Sequence, residues 1–88
     1  MRGATILRVR FFALSTCGWC RKTKRFLDAH NVDYEIYYVD LLSGEEKARC
    51  IAEMKRWNPR RSFPTVVVDD SEVVVGFKED RLREVLGL

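Results

Sequence analysis

The chain has 88 residues, of which 47% are hydrophobic and 33% are charged, and its formal net charge is +3 at pH 7. This composition excludes a disordered tail, which lacks apolar side chains, and a collagen-like or repetitive chain, which carries excess Gly or Pro. Because a chain this short buries only about 60% of its unfolded surface, we expect one small domain over residues 1–88, without a deep substrate cleft.

The first third of the chain predicts a strand followed by a helix. Residues 6–14 alternate apolar and basic side chains and then become fully apolar, as a strand does when it enters a sheet interior. A turn at residues 15–18 precedes good helix formers with apolar side chains at helical spacing over residues 21–30. We expect Asn31 to end this helix in the left-handed conformation.

The middle third predicts a second strand and a second helix. Residues 34–39 are rich in aromatic and β-branched side chains, which are typical of a strand. Ser43, followed three residues later by Glu46, resembles a capping box. The apolar stripe after it predicts a helix that runs toward Trp57.

The last third predicts a β-hairpin and a closing helix. Val-rich runs at residues 64–69 and 72–75 meet at a turn over residues 69–71, and residues 80–86 carry apolar side chains at helical spacing. The element order is therefore β-α-β-α-β-β-α. Since a parallel pair of strands requires a crossover and a hairpin is antiparallel, we predict an α/β fold with a four-stranded mixed sheet and three helices.

Two cysteines lie where the first strand gives way to the first helix, in the run Cys-Gly-Trp-Cys at residues 17–20. At a helix N-terminus, free backbone N–H groups and the positive end of the helix dipole stabilise a thiolate, here on Cys17. Cys20, one turn further in, is predicted to resolve the mixed disulfide that Cys17 forms with a substrate. The pattern therefore predicts a reversible dithiol–disulfide cycle.

The charge of the chain is unevenly distributed. Residues 1–30 carry seven basic side chains against the single acidic Asp28, a local charge of +6, whereas the remainder sums to −3. Arg21 and Lys24 follow the two cysteines at helical spacing and are predicted to stabilise the thiolate. The basic surface suits an acidic partner, but it is equally typical of a solvated face. It lacks the interleaved aromatic side chains of a nucleic-acid platform, so no nucleic-acid partner is predicted.

A CxxC pair is also half of many zinc sites. The other ligands here would be Cys50 and His30, but no second CxxC or paired His motif accompanies them, so we predict redox chemistry without a metal. His30 is interpreted as a helix-end residue. Cys50 is interpreted as a packed helix residue, with glutathionylation or a disulfide between chains as alternatives.

Three cysteines are too few for the disulfide framework of a small secreted protein, which favours a reducing compartment. No apolar run is long enough for a membrane span, and Arg8 and Arg10 interrupt what would be the apolar part of a secretory signal. We therefore expect a cytoplasmic protein that does not associate with membranes.

Two further features accompany the cysteines. Trp19 is interpreted as an exposed apolar surface for disulfide partners rather than as a core contact. Pro64 stands at the start of a strand, and a cis Phe63-Pro64 bond would direct the Phe63 backbone toward an extended peptide at the active site. A trans proline at a sheet edge is the alternative.

These features together resemble the glutaredoxins, a branch of the thioredoxin superfamily, over nearly the whole chain. The resemblance rests on the cysteine run after an apolar strand, on residues 63–68 before a hairpin, and on Gly76-Phe77 opening the last helix. It implies a thioredoxin-like fold, a cis Pro64, and thiol–disulfide oxidoreduction with Cys17 as nucleophile. The predicted substrate-binding residues are Trp19, Phe63, Pro64, Gly76 and Phe77. A metal or [2Fe-2S] module built on the CxxC is the alternative function.

The resemblance also bears on the electron donor. Glutathione-using members usually carry Lys at the position of Leu14, Thr-Val at residues 62–63 and Gly-Gly at the position of Gly76. Residues 76–82 are instead similar to the redoxins that take electrons from a flavin reductase and reduce ribonucleotide reductase. Arg60 and Arg61 are candidate ligands of a glutathione carboxylate. We expect a monomer without a tightly bound cofactor, reduced by a thioredoxin reductase, a ferredoxin-linked reductase or glutathione.

Overall fold

The strands and helices occur in the order expected from the sequence. The computed structural model describes residues 7–88, so the predicted start of the first strand at residue 6 and the first residues of the predicted domain lie outside it. The strands are β1 (Val9–Ala13), β2 (Glu35–Tyr38), β3 (Thr65–Val68) and β4 (Glu72–Val75). The helices are α1 (Gly18–Ala29), α2 (Gly44–Trp57) and α3 (Glu79–Leu86), with a short 3₁₀ turn at Val39–Leu41 after β2.

The four strands form one mixed sheet in the order β2-β1-β3-β4. β1 is parallel to β2 and antiparallel to β3, and β3 and β4 form the predicted antiparallel hairpin. Asp69 and Asp70 at the hairpin turn both have left-handed backbones, with φ of 54° and 53°. Two such residues suit the twist of the flanking strands. The predicted mixed sheet with three helices is therefore confirmed.

Both faces of the sheet are covered, which explains why every residue of β1 and β3 is buried. Successive side chains of a strand point to opposite faces, so neighbouring residues enter different core clusters. The cluster that includes α1 and α3 contains Phe11, Leu27, Val66, Val74 and Leu82. The cluster that includes α2 contains Phe12, Met54 and Val67. The two cysteines of the CxxC pack with the first cluster, and Cys50 packs with the second.

Helix boundaries differ from the sequence expectations in three places. α1 begins at Gly18 rather than residue 21, because the cysteine pair itself forms the first turn. Ser43 does precede α2, but its hydroxyl makes no capping bond, so the predicted capping box is absent. Its carbonyl instead accepts the backbone N–H of Lys47 at 3.3 Å. α3 begins at Glu79, so Gly76 lies in the connection before the helix rather than opening it.

The end of α1 agrees with expectation, since Asn31 has a left-handed φ of 56° just beyond the C-capping residue. Within residues 7–88, no helix is both long enough and apolar enough to cross a membrane.

Candidate redox-active site

The first helix begins on a cysteine. The backbone of Cys17 is extended, and its Sγ accepts a hydrogen bond from the backbone N–H of Cys20 at 3.1 Å. Its own N–H donates to the carbonyl of Leu14 at 3.2 Å, which closes the turn between β1 and α1. Sulfur thus occupies the N-capping position that an oxygen usually fills.

The two thiols of the pair have unequal surroundings. Cys17 is half-buried, whereas Cys20 is only 3% exposed. Burial raises the pKa of Cys20 to about 12, because it disfavours the charged thiolate, and the hydrogen bond with Cys17 acts in the same direction. Cys20 is therefore protonated at neutral pH. The accessible thiol is suited to attack and the protected thiol to a later step.

The carboxylate of Asp40, in the 3₁₀ turn after β2, holds the loop before Cys17. The backbone N–H of Ser15 donates to Asp40 Oδ1 at 2.9 Å, and its hydroxyl donates to Asp40 Oδ2. These two bonds hold the pKa of Asp40 below its ordinary value. Asp40 directly follows the predicted second strand, and the sequence assigned it no role in the site. Because β1 and β2 are parallel, the residues that follow them lie side by side at one sheet edge, and this pairing was the available signal.

Two stacked aromatic side chains lie beside the cysteines, the exposed Trp19 and the half-buried Phe77. Trp19 is 60% exposed, which agrees with the interpretation of an outward-facing indole. Its ring stacks on Phe77 with centroids 6.4 Å apart and an interplanar angle of 19°. Phe77 packs edge-on against Phe26 of α1, which anchors the pair to the core. The Lys22 ammonium lies over both rings, at 5.3 Å from the Trp19 centroid and 5.6 Å from that of Phe77.

The Phe63-Pro64 bond is cis, as expected, and Pro64 is buried at the start of β3. The Pro64 carbonyl accepts the backbone N–H of Gly76 at 2.8 Å. Gly76 has a left-handed φ of 83°, which explains the glycine at this position. Phe63 is half-buried against both core clusters. The connection before α3 is thereby held against the loop that carries the cis proline.

The charges near the cysteines are fewer than the sequence suggested. Arg21 is beside the start of α1, with Nη2 3.9 Å from the position that a Cβ on Gly18 would occupy. Its charge opposes the rise in the pKa of Cys20. Lys24 was also predicted to stabilise the thiolate, but its ammonium lies 2.9 Å from an oxygen of Asp28. This carboxylate already compensates the charge of Lys24.

Two more basic residues of the first third, Arg8 and Arg10, form ion pairs at the start of β1. Arg10 has a side chain only 8% exposed and pairs with Glu53 and Asp70, while Arg8 pairs with Glu35 and Asp70 at 3.6 Å. Within residues 7–30, the basic side chains are therefore divided between the ion pairs of Arg8, Arg10 and Lys24 and a smaller cationic region at the start of α1.

The structure does not bring together the four candidate zinc ligands. Cys50 lies in the cluster on the α2 side of the sheet, whereas Cys17 and Cys20 pack on the other side. His30 caps the end of α1, where its Nδ1 lies 2.9 Å from the Phe26 carbonyl. Among residues 7–88, no three His, Cys, Asp or Glu side chains are grouped so that they could hold a metal ion.

The mixed sheet, the N-capping cysteine of a CxxC pair and the cis proline before β3 define a thioredoxin-fold redox protein. The glutaredoxin family model matches residues 9–73. Methanoredoxin of Methanosarcina acetivorans has a similar structure, with a TM-score of 0.87 and 47% identity over 92% of this chain and 85% of that chain. The glutaredoxin from Methanosarcina mazei Go1 has the same TM-score with 46% identity, over 92% of this chain and 79% of that chain.

A curated relative is the uncharacterised glutaredoxin-like 8.6 kDa protein in the rubredoxin operon of Clostridium pasteurianum. It is 24% identical over 79 residues, which cover 89% of this chain and 96% of the relative. On the strength of the family match and the two archaeal structures, the chain belongs to the glutaredoxin family.

Proposed function

We propose that this protein reduces disulfide bonds in other proteins by a two-cysteine mechanism. The observation that supports the proposal most strongly is the inequality of the two thiols. Cys17 is partly exposed at the N-cap of α1, and Cys20 is buried with a raised pKa. The thiol that can reach a partner is therefore the one whose anion the helix start favours.

The cycle follows from these positions. The Cys17 thiolate attacks one sulfur of the substrate disulfide, forms a mixed disulfide and releases the other sulfur as a thiolate, which takes up a proton. Cys20 then loses its proton and attacks Cys17 Sγ, forming the internal disulfide and releasing the second substrate thiol. Two electrons pass to the substrate, so the protein needs an external donor to regain its dithiol.

Single-cysteine variants test this mechanism. We expect Cys17→Ser to abolish reduction of a protein disulfide, and Cys20→Ser to accumulate a covalent adduct of protein and substrate, detectable by non-reducing electrophoresis and mass spectrometry. Cys50→Ser is the matched control, because Cys50 packs on the other side of the sheet, and it should retain the wild-type rate. Full activity of the Cys17→Ser protein would contradict the proposal.

The donor that fits the sequence pattern is a flavin-containing or ferredoxin-linked reductase, with ribonucleotide reductase as a candidate target. Leu14 lines the cavity beside the cis proline, so the cation usual in glutathione-using members is missing from this wall. Phe77, at the position of their second glycine, stacks on Trp19. Both features favour a protein surface over a glutathione subsite as the route for electrons.

One observation favours glutathione as a second candidate donor. A surface cavity of about 340 Å³ joins Leu14 and Phe63 to three cationic side chains, Lys47, Arg60 and Arg61. One carboxylate, that of Asp40, also lines this cavity, and it already accepts two hydrogen bonds from Ser15. Guanidinium groups bind carboxylates through paired hydrogen bonds, and glutathione carries two carboxylates. The cavity therefore provides charge of the correct sign next to the cis proline.

The donors are distinguished by oxidising the protein and following its reduction by glutathione, by a thioredoxin reductase and by a ferredoxin-linked reductase. We expect one of the two protein donors to be fastest. A glutathione rate above both would reverse this assignment, and the double variant Arg60→Gln and Arg61→Gln should then lower it. Lys55→Gln on α2 is the control, since it removes one exposed charge outside the cavity.

A further inference from the structure

The stacked rings of Trp19 and Phe77 form an aromatic platform, in which Phe77 is half-buried against the core and Trp19 is exposed. Among residues 7–88, the large hydrophobic side chains that are exposed are Trp19, Leu41 and Leu88. Trp19 is distinguished from the other two by its place within the CxxC and by its stacking on Phe77. A rigid, nearly parallel ring pair offers contact area at a small cost in conformational entropy.

The platform carries a cation that the fold leaves uncompensated. Lys22 lies over both rings, and it has no ion pair within residues 7–88. Arg21, the neighbour of Lys22 at the start of α1, also has no ion pair within residues 7–88. Residues 1–6 contain no Asp or Glu that could supply a carboxylate. The ion pairs of the described chain engage instead Arg8, Arg10, Lys24, Arg56, Arg81 and Arg83.

We propose that this platform selects a partner protein whose disulfide lies in an acidic segment with an apolar side chain next to the cysteine. The apolar side chain packs on Trp19 and Phe77, and a carboxylate of the segment pairs with Lys22. This inference rests on the proposed function, since the disulfide must reach Cys17. It adds the chemistry of the partner and a specificity-determining role for Lys22.

Chain geometry is compatible with this arrangement. An extended segment advances about 3.3 Å per residue, so residues one or two positions from the bound cysteine lie about 3–7 Å along the chain from it. Trp19 is separated from Cys17 by a single residue on α1. A side chain close to the substrate cysteine therefore reaches the platform while its sulfur is at Cys17. Charge complementarity at such a surface mainly raises the association rate and excludes partners of the wrong charge.

The test compares two disulfide peptides that differ only in charge. Both are closed by one disulfide and carry a Phe after the first cysteine, followed by two Glu in one peptide and two Lys in the other. The fully reduced protein, without another reductant, is mixed with each peptide, and the released peptide thiols are quantified over time. At low ionic strength we expect the acidic peptide to be reduced about fivefold faster, with the preference shrinking at about 0.5 M salt.

Charge reversal at Lys22 gives the decisive comparison. Lys22→Glu should abolish or invert the preference, whereas Lys55→Glu, the same change on the exposed side of α2, should retain it. An uncharged small disulfide, 2-hydroxyethyl disulfide, corrects for any effect of Lys22 on the reactivity of Cys17. Equal rates for the two peptides, or an unchanged preference in Lys22→Glu, would overturn the inference alone. Failure of the wild-type protein to reduce any of the three disulfides would overturn the proposed function and the inference with it.

Discussion

The protection of Cys20 leads to a quantitative prediction about alkylation. Its pKa rises from an ordinary 9.0 to about 12, first because burial disfavours the thiolate. With this higher pKa, the reactive thiolate of Cys20 is roughly a thousandfold scarcer than that of an ordinary cysteine at any pH well below 9. Since the side chain is also only 3% exposed, burial slows its alkylation further by limiting access of the reagent to the sulfur. We expect the reduced protein to react first at Cys17, then at Cys50, and last at Cys20.

The assay uses iodoacetamide in amounts below one label per protein, so that Cys20 is sampled in molecules whose Cys17 is still intact. Peptide mass spectrometry then gives the initial rate at each cysteine from pH 7 to pH 11. The Cys20 rate should rise about tenfold per pH unit without reaching a plateau below pH 11. A plateau near pH 8.5, or a Cys20 rate equal to that of Cys50, would refute the account of the buried thiol. The guanidinium of Arg21 opposes the rise, so Arg21→Gln should slow Cys20 further.

Three further predictions concern stability. Arg10→Met should lower the free energy of unfolding in urea by about 1–3 kcal/mol, because it removes a buried cation from two partly hydrated carboxylates. Arg8→Met, which removes an exposed cation, should lower the free energy of unfolding by about 0.5 kcal/mol or less. Arg10 lowers the pKa of Glu53 by hydrogen bonding, so this stabilisation is present above the ordinary value of 4.5 and is lost as the pH falls through the lowered pKa. Urea titrations from pH 6 to pH 3 should therefore show a shallower acid loss in Arg10→Met, and an unchanged slope would contradict the pairing. Gly76→Ala should lower the free energy of unfolding by about 1–2 kcal/mol, because the backbone of Gly76 has a left-handed φ that alanine rarely adopts. A Cβ at position 18 would meet only ordinary contacts, so Gly18→Ala should change the free energy of unfolding by about 0.5 kcal/mol or less.

The site could be located from sequence because its central feature is local. A helix start is set by the few residues around it, and the cysteine run directly follows an apolar strand. The hairpin was equally readable, since its turn joins two Val-rich runs within a short distance. Three residues of helix were missed at the start of α1, because a cysteine is not a usual N-cap and its sulfur was not counted as an acceptor.

The partners of charged side chains could not be read in the same way. Lys24 has the correct helical spacing to support Cys20, but the spacing is equally correct for Asp28, and the ion pair forms there. Arg10 appears in sequence as part of a basic cluster, yet it is buried between α2 and the hairpin turn. Net charge over a segment therefore overstated the field at Cys17.

The sequence by itself determined the order of strands and helices, the mixed sheet and the placement of Cys17 at a helix N-terminus. These depend on periodicity, turn residues and caps, which act over a few neighbouring positions. Three features could be seen only in the tertiary structure: the burial of Cys20, the hydrogen bond from the Ser15 backbone to Asp40, and the stacking of Phe77 on Trp19. Each of these depends on segments far apart in the chain that meet only when the sheet aligns its strands and the helices pack on it.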